Sequence, residues 1–279
     1  MSDPGFRVMG VVNVTPDSFS DGGLFLDADK AIAHGTQLTN EGADILDIGG
    51  ESTRPGAAPV DAGEELRRVL PVIEGLAGGP ARISIDTSKA GVASAALDAG
   101  ATLVNDVTAL RSDPRMVELI ASSGVECCLM HMRGEPRTMQ DDPHYDDVVS
   151  EVKAFLSERL AFAVANGIAE DKVILDPGIG FGKTAEHNLE LLRRLDELVA
   201  LGRPVMVGFS RKSFLGRITG REVGERVAST VAVNVLAYER GARLFRVHDV
   251  APTKDALAVA AATVRPGWSA TTTPTSSTT

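Results

Sequence analysis

The sequence predicts an α/β protein that forms a single-domain (β/α)8 TIM barrel with long loops after its first two strands. Eight short apolar segments alternate with amphipathic segments of helical periodicity, and no break in composition divides the 279 residues. A domain of about 250 residues with this alternation is typical of the barrel fold. An open, doubly wound parallel sheet is the alternative that the same alternation allows.

The predicted strands are short and rich in β-branched residues. They lack a clean polar–apolar alternation, as expected of strands that are covered on both faces. They span residues 6–14, 44–48, 82–85, 103–105, 125–130, 172–175, 204–207 and 244–247.

The predicted helices follow these strands in order and place apolar residues at helical spacing. Several of them end at a glycine just before the next strand, because a positive φ often follows a helix and favours glycine. The helices span residues 27–41, 62–76, 89–99, 114–122, 146–166, 185–198, 224–240 and 252–264. The glycines are Gly42, Gly100, Gly124, Gly167, Gly202 and Gly241.

We expect the barrel domain to span residues 1–268 and the Ser/Thr-rich segment 269–279 to be a disordered tail. The loops at residues 13–23 and 51–59 contain glycine and are long enough to close over a substrate, although an ordinary surface connection is the alternative for each. Residues 178–184 differ from a phosphate-binding P-loop in their glycine spacing. We interpret them as a flexible glycine-rich loop.

The formal net charge of −10 argues against a nucleic-acid or anionic-membrane surface, since both need a basic face. A local cluster of arginine and lysine could still bind a small anionic substrate. The N-terminal residues do not resemble a secretory signal, and no apolar run approaches the roughly 20 residues of a membrane span. Adjacent Cys127 and Cys128 would point to opposite faces of one strand, so we expect both to be reduced. These features predict a cytoplasmic protein.

Polar residues close the predicted strands. In a parallel barrel the carboxyl ends of the strands face one mouth, where barrel enzymes place their reaction site. Single members have a structural alternative, because Asp86 could cap the next helix and Lys212 could be a solvated charge. As a set, the strand ends predict one functional site. The set comprises Asn13, residues 49–56, Asp86, Asn105, Asp106, His131, residues 176–178, residues 208–212, Arg246 and His248.

One group within this set carries hydrogen-bond donors or neutral polar groups. Arginine can bind a phosphate through two parallel hydrogen bonds, so this group suits a phosphate or a pyrophosphate. Residues 210–213 begin a helix after the seventh strand, and free backbone N–H groups at a helix start attract anions. The last two strands are also the usual phosphate side of a barrel. The group consists of Asn13, Arg54, Arg246 and His248.

A second group consists of Asp86, Asn105 and Asp176. A carboxylate that accepts from a ring N–H and an exocyclic amine would recognise the guanidine-like edge of a heterocycle, and an amide can both donate and accept. The two groups together predict a polar heterocycle that carries a phosphate ester. The sequence has no Cys/His cluster with zinc spacing, no dinucleotide-binding or P-loop motif and no GxSxG nucleophile motif.

The strand-end motifs resemble those of the dihydropteroate synthases, a family of folate-pathway enzymes that sulfonamides target. The resemblance covers essentially the whole predicted barrel in order, and Ile179 is a conservative departure where many members have phenylalanine. The matching segments are MGVVNVTPDSFSDGG (residues 9–23), DIGGESTRPGA (47–57), SIDTSK (84–89), VNDV (104–107), LMHMRGEP (129–136), DPGIGFGK (176–183), GFSRKSFLG (208–216) and RVHDV (246–250).

The resemblance implies a transferase that condenses 7,8-dihydropterin-6-ylmethyl diphosphate with 4-aminobenzoate, giving 7,8-dihydropteroate and diphosphate. It also implies Mg²⁺ as the cofactor and a homodimer formed through outer helices. No protein nucleophile is required, because diphosphate is a good leaving group once its charge is neutralised. An SN1-like course suits these residue types, and direct displacement stays open.

The resemblance also implies roles for individual residues on the pterin and diphosphate side. Arg246 would stack on the pterin ring and meet the diphosphate. Asn13 would bind Mg²⁺ on the diphosphate, while Arg54 and His248 would contact phosphate oxygens. The residues that would hold the pterin are Asp86, Asn105, Asp176 and Lys212, with Met130 as a further substrate contact.

On the aminobenzoate side, the resemblance implies a pocket shaped by Thr53, Pro55, Phe181 and Ser213. Asp21, together with Phe19 in the first loop, would help to close the site. His131 receives no role. The implied catalytic set is Asn13, Asp21, Arg54, Asp86, Lys212, Arg246 and His248.

Two other functions stay open. A folate-binding barrel that transfers a methyl group to a corrinoid would share the Asp/Asn pterin pocket, but such proteins lack the STRPG, SRK and RVH segments that are present here. A non-catalytic paralogue that binds or regulates is the second alternative, although the intact loops argue against it. An assay with both substrates distinguishes these functions.

Overall fold

Among the described residues, eight strands form the interior of the fold. The computed structural model describes residues 5–15, 24–52, 57–135 and 138–264, with residues 24–27 described by their backbone. The strands are β1 (Arg7–Asn13), β2 (Ile45–Gly49), β3 (Arg82–Asp86), β4 (Leu103–Asp106), β5 (Glu126–Met130), β6 (Val173–Asp176), β7 (Met206–Val207) and β8 (Leu244–Val247).

Backbone contacts join the two ends of the sheet into a barrel. The strands pair in parallel in the order β6-β5-β4-β3-β2-β1-β8-β7. Leu175 in β6 bridges Val205 just before β7, and its amide donates to the Pro204 carbonyl at 2.9 Å. The predicted (β/α)8 barrel is therefore confirmed, and the open doubly wound sheet is wrong.

Helices surround the barrel and connect its strands. Short 3₁₀ turns at Glu170–Lys172 and Val223–Glu225 add to these connections. The helices are α1 (Leu24–Asn40), α2 (Ala62–Leu76), α3 (Ala90–Asp98), α4 (Arg115–Ser123), α5 (Val148–Ala165), α6 (Ala185–Arg193), α7 (Asp196–Val199), α8 (Ser213–Thr219), α9 (Val227–Glu239) and α10 (Val250–Val264).

One predicted helix, residues 185–198, is divided into α6 and α7. Arg194 leaves helical geometry at φ −110° and ψ 30°, which ends α6. Leu195 and Leu198 beyond this break are both fully buried, so the segment after the break also packs into the core. The predicted start of a helix after the seventh strand is confirmed by α8.

Side-chain caps and glycines define the helix ends. Asp61 accepts from the Glu64 amide of α2 at 2.9 Å, and Asp147 caps α5 through the Val149 and Ser150 amides. Such caps satisfy backbone N–H groups that a helix leaves without a partner. The six glycines predicted to follow helices all have a positive φ, between 67° and 115°.

The barrel interior has an apolar floor with a polar layer above it. Strand residues two apart face the same side, so the residues two positions after the floor side chains also point into the barrel. Four of these are Asp47, Asn105, Asp176 and Arg246, and they form the bottom of the candidate site. The floor consists of Met9, Ile45, Leu103, Cys128, Ile174, Met206 and Leu244.

The two neighbouring cysteines lie on opposite faces of β5. Cys127 belongs to the cluster between barrel and helices, whereas Cys128 belongs to the floor. Both thiols are free and fully buried. Burial raises the pKa of Cys127 to about 12, so this thiol stays protonated and unreactive at neutral pH.

Two further expectations concern membrane-spanning helices and the C-terminal end of the chain. Within the described ranges, no helix combines the length and the apolar character needed to cross a membrane. The predicted tail at residues 269–279 and the predicted domain end at residue 268 lie outside the described residues.

Two valines of α5 provide a matched test of this packing. Val152 is fully buried, whereas Val164 is 40% exposed. Val152→Ala should lower the free energy of unfolding by about 1–3 kcal/mol, because it removes buried methyl groups and leaves a cavity. Val164→Ala should change it by less than about 0.5 kcal/mol. Urea-induced unfolding measures both values, and equal losses would contradict the described packing of α5.

Candidate active site

A cavity of about 760 Å³ opens at the carboxyl ends of the strands, and its volume is in the range of small-molecule sites. Four predicted site residues, Asp21, Thr53, Arg54 and Pro55, lie outside the described residues, as does Phe19. All the other residues to which the family resemblance assigns a role line this one cavity. They are Asn13, Asp86, Asn105, Met130, Asp176, Phe181, Lys212, Ser213, Arg246 and His248.

An ion cluster lies at the bottom of the cavity. Arg246 donates from Nε to Asp47 at 2.6 Å and from a terminal nitrogen to Asp86 at 2.9 Å. Asp47 also accepts from Ser84 Oγ at 2.6 Å and from Asn105 Nδ2 at 3.1 Å. We call Asp47, Asp86 and Arg246 the charged triad. Because Asp47 is fully buried, its charge depends on these donors in place of water.

Asp47, which holds Arg246 and Asn105 in place, is a residue of the site that the sequence prediction missed. Only the residues that close each strand entered that prediction, and β2 closes at Gly49. A signal was present, because Asp47 stands between buried Leu46 and Ile48, and a carboxylate is almost never buried unless it is paired. By sequence, Arg246 is placed among the donors that suit a phosphate. In the structure, its guanidinium donates to two carboxylates, Asp47 and Asp86.

Burial makes two carboxyl groups of the site harder to ionise. It raises the pKa of Asp86 to about 7, with the nearby Asp47 charge adding to the effect and Arg246 opposing it. Burial also raises the pKa of Asp176 to about 6, although the Gly178 amide donates to this carboxylate at 2.7 Å and opposes the shift. Both groups therefore change charge near neutral pH.

The segment between β6 and α6, residues 177–184, is held against the cavity; we call it the glycine loop. Side chains donate to four of its carbonyl groups, which leaves the segment little conformational freedom. The donors are Lys183 to Gly178 and Phe181 (both 3.0 Å), Tyr145 to Gly182 (2.8 Å) and Gln140 to Gly180.

The glycines of this loop serve close packing. Gly178 has a φ of 66°, and a Cβ atom there would lie 1.8 Å from the His131 carbonyl oxygen. Only glycine fits such a contact. The sequence-based interpretation of residues 178–184 as a flexible loop is therefore wrong, because hydrogen bonds and steric contacts hold the segment in one shape.

The connection between β7 and α8 places Lys212 over the glycine loop. Lys212 is the N-cap residue of α8, and its Nζ lies 4.5 Å from the centroid of the Phe181 ring, within cation–π range. Arg226 supports this connection by donating to the Arg211 carbonyl at 3.0 Å. Asp249 pairs with the Arg211 guanidinium at 2.6 and 3.0 Å. The position of Lys212 is therefore stabilised from several elements.

His248 lies next to the same connection. Its backbone N and ring Nδ1 lie 3.1 and 3.0 Å from Ser210 Oγ. Burial, together with the nearby Arg246 charge, lowers the pKa of His248 to about 4, so the ring is neutral at pH 7. His248 can therefore meet a phosphate as a hydrogen-bonding group without adding a charge.

Two members of the predicted set of strand-end residues, Asp106 and His131, do not line the cavity. Asp106 turns back and accepts from the Thr108 and Leu110 amides, both at 2.8 Å, so it stabilises the turn after β4. His131 is buried with its Nδ1 2.9 Å from Lys183 Nζ. It therefore contacts the glycine loop and not the cavity.

The described residues contain no group of three or more His, Cys, Asp and Glu side chains that could hold a metal ion. Asn13, at the end of β1, lines the cavity and offers one amide oxygen. Mg²⁺ takes oxygen ligands and is often bound by one or two protein groups together with substrate phosphates. The residues present therefore fit a metal ion that arrives with a phosphorylated substrate.

Comparison with known proteins identifies the family. The pterin binding enzyme family matches residues 9–248. The dihydropteroate synthase of Escherichia coli (strain K12) is 47% identical over 259 residues, which cover 92% of each chain. The chain belongs to the dihydropteroate synthase family.

Solved structures of dihydropteroate synthases share the fold. The Xanthomonas albilineans enzyme, solved with 4-aminobenzoic acid, is 54% identical, with a TM-score of 0.86 over 91% of each chain. The Yersinia pestis enzyme, solved in a sulfonamide drug complex, is 46% identical, with a TM-score of 0.88 over 94% of this chain and 95% of that one. The expected family and the expected folate-pathway transferase are confirmed. The comparisons favour this function over corrinoid methyl transfer.

The charged triad predicts strong coupling between Asp47 and Arg246. Asp47→Asn leaves Arg246 with Asp86 as its carboxylate partner in the triad, and Arg246→Met leaves Asp47 with Ser84 and Asn105 but no cation. Loss of the ion pair should cost about 3–5 kcal/mol of unfolding free energy. The double variant should be less destabilised than the sum of the single variants by about 1–3 kcal/mol. Urea unfolding of the four proteins measures this coupling. Additivity within about 0.5 kcal/mol would contradict the ion pair.

The pH dependence of stability should report the raised pKa of Asp86. This carboxyl group ionises at about pH 4 in an unfolded chain but at about pH 7 in the folded protein. Because the folded protein retains a proton that the unfolded chain releases, this contribution to stability is fully present below about pH 4 and is lost as the pH rises to about 7.

Asp86→Asn removes this contribution, whereas Asp176 contributes in both proteins. The unfolding free energy of the wild type minus that of Asp86→Asn should therefore decrease between about pH 4 and pH 7. Urea unfolding at a series of pH values provides the measurement. A difference that stays constant across this range would show that the pKa of Asp86 is not raised.

Proposed function

We propose that the protein joins 7,8-dihydropterin-6-ylmethyl diphosphate to 4-aminobenzoate, forming 7,8-dihydropteroate and releasing diphosphate. The observation that carries the proposal is that Asp86, Asn105 and Asp176 share one cavity with Lys212 and His248. The cavity thus combines acceptors for a heterocycle with groups for an anion. The 4-aminobenzoic acid bound to the Xanthomonas albilineans relative supports the choice of the second substrate.

The carboxylate side of the cavity fits the pterin. Asp86 and Asp176 can accept from the ring N–H and amino groups of its guanidine-like edge, and the Asn105 amide oxygen can accept as well. Such donors favour the ionised carboxylates, so pterin binding should lower both raised pKa values. The planar guanidinium of Arg246, held by two carboxylates, offers a face on which the pterin ring can stack.

Cationic and neutral polar groups of the same cavity fit the diphosphate. Diphosphate leaves readily only when its charge is neutralised. Lys212 supplies positive charge, Arg246 and neutral His248 can donate hydrogen bonds, and we assign Arg54 to the same task. When bound, Mg²⁺ supplies Lewis-acid neutralisation of the diphosphate oxygens, and Asn13 is the residue that would hold it.

The 4-aminobenzoate would lie between the glycine loop and α8. Phe181 offers an aromatic surface for its ring. Lys212 and the first turn of α8, which begins at Ser213, attract its carboxylate through positive charge and backbone N–H groups. We assign Thr53 and Pro55 to the remaining wall of this pocket.

The reaction proceeds without a protein nucleophile. The C–O bond between the pterin methylene and the diphosphate breaks, and its electron pair leaves with the diphosphate. The aminobenzoate nitrogen then forms the new C–N bond and releases one proton to solvent. We place departure before attack, because the ionised carboxylates of Asp86 and Asp176 would stabilise the positive charge on the pterin.

We also infer a homodimer, a cytoplasmic location, sensitivity to sulfonamides and closure of the first loop through Asp21. Exposed apolar side chains on the adjacent helices α9 and α10, among them Leu236 and Val259, support a subunit interface. The buried free cysteines are compatible with a reducing compartment. The sulfonamide drug complex of the Yersinia pestis relative supports the inferred sensitivity.

Diphosphate release by the purified protein tests the proposed reaction. Release should require both substrates and Mg²⁺ and should stop when EDTA removes the metal. Asp176→Asn should lower kcat/KM by about 10- to 100-fold, because it removes a charged acceptor. Asp171→Asn, at an exposed position before β6, is the matched control and should leave kcat/KM unchanged.

Absence of diphosphate release with retained pterin binding would identify a non-catalytic paralogue and contradict the proposal. The order of bond changes has its own readout in the same assay. Deuterium on the pterin methylene should give a large secondary isotope effect if departure precedes attack. An effect near unity would contradict that order and favour direct displacement.

A further inference from the structure

The buried side chain of Lys183 explains how the glycine loop keeps its shape. Lys183 is only 3% exposed. Its Nζ lies 3.0 Å from the carbonyl oxygens of both Gly178 and Phe181, and 2.9 Å from His131 Nδ1. A lysine ammonium group has three N–H donors. These three contacts use all of them, so none is left for a substrate.

His131 fits this contact as a neutral ring. Burial, together with the neighbouring Lys183 and Arg133 charges, lowers the pKa of His131 to about 2. Nδ1 therefore presents a lone pair to the ammonium group, and the ring proton lies on Nε2. Phe155 packs edge-on against the imidazole, with 4.9 Å between ring centroids. The orientation of the ring is thus fixed from two sides.

The glycine loop connects two of the predicted substrate contacts. Asp176 immediately precedes the loop, and the Gly178 amide donates to its carboxylate at 2.7 Å. Phe181 lies within the loop beneath Lys212. A shift of the loop would therefore displace both the Asp176 carboxylate, which is assigned to the pterin, and the Phe181 ring, which is assigned to the aminobenzoate.

We propose that Lys183 and His131 form a positioning pair for the synthase reaction, in which the lysine ammonium fixes the glycine loop and the neutral imidazole supplies its third acceptor. The inference rests on the proposed function, because Asp176 and Phe181 receive their substrate roles from it. Lys183 borders the cavity, but its three donors are used within the protein, and His131 lies behind it. Both act through the loop that they hold.

The pair also influences the ionisation of Asp176. The charge on Lys183 lowers the pKa of that carboxyl group, against the effect of burial. Burial and two neighbouring cations in turn lower the pKa of Lys183 to about 7, whereas Asp176 raises it. Loss of Lys183 should therefore raise the pH at which Asp176 ionises. The charged groups that face Lys183 are Asp176 from β6, Arg133 from the β5–α5 connection and Lys212 from the β7–α8 connection.

Lys183→Met tests the pair, because it removes the three donors and keeps a side chain of similar length. The KM for 4-aminobenzoate and the Kd for the pterin diphosphate should each rise by about 10- to 100-fold, as expected when reacting groups are misplaced slightly. The pH midpoint of pterin binding should move upward. Lys30→Met, at an exposed position of α1, is the matched control and should change none of these values.

Two His131 variants separate positioning from folding. His131→Gln retains an oxygen that can accept from Lys183, whereas His131→Leu retains no acceptor. The glutamine variant should keep most of the wild-type substrate affinity, and the leucine variant should resemble Lys183→Met. All measurements are made well below the Tm of each variant, so that a loss of affinity reports a misplaced loop in folded protein.

Wild-type KM and Kd values in Lys183→Met, or equal behaviour of the two His131 variants, would overturn the positioning pair. A lowered Tm with unchanged substrate affinity would do the same, because it would indicate a purely structural role. Each of these outcomes leaves diphosphate release by the wild-type protein intact. Failure of the wild-type protein to release diphosphate would instead overturn the proposed function.

Discussion

The ion pair between Arg246 and Asp47 is the interaction on which the rest of the site depends. The two residues are 199 positions apart, and they meet only when β8 pairs with β1 and β1 pairs with β2. Within the barrel each charge would be costly alone, because the apolar floor below offers it neither water nor another donor. Pairing of β8 with β1 and formation of the site are therefore linked, since the two charges meet only across these three neighbouring strands.

The cavity gathers cationic side chains in a protein that is acidic as a whole. The chain carries a formal net charge of −10, yet several cationic side chains line the cavity. Two of them are neutralised locally, because Arg246 pairs with Asp47 and Arg211 pairs with Asp249. The cations of the cavity can together attract a small anion although the protein as a whole is acidic.

Asp86, Asn105 and Asp176 could be predicted because they close strands, and parallel strands present their carboxyl ends to one mouth. Asp47 lies two residues below the end of its strand, so the same rule overlooks it. Glycine has two opposite meanings in a sequence, conformational freedom and close approach. At Gly178 the nearby His131 carbonyl requires close approach. His131 directly follows β5 and precedes Gly178 by 47 positions, as their residue numbers show.

The sequence by itself determined the order and type of the barrel elements, the family motifs and most polar groups of the site. Those features depend on local periodicity and on residue identity, which the chain carries without being folded. Tertiary structure alone decided which charges meet, which carboxyl groups resist ionisation and which lysine holds the glycine loop. The reason is physical: hydrogen-bond partners and loss of solvation depend on distances between residues far apart in the chain, and only the closed barrel sets those distances.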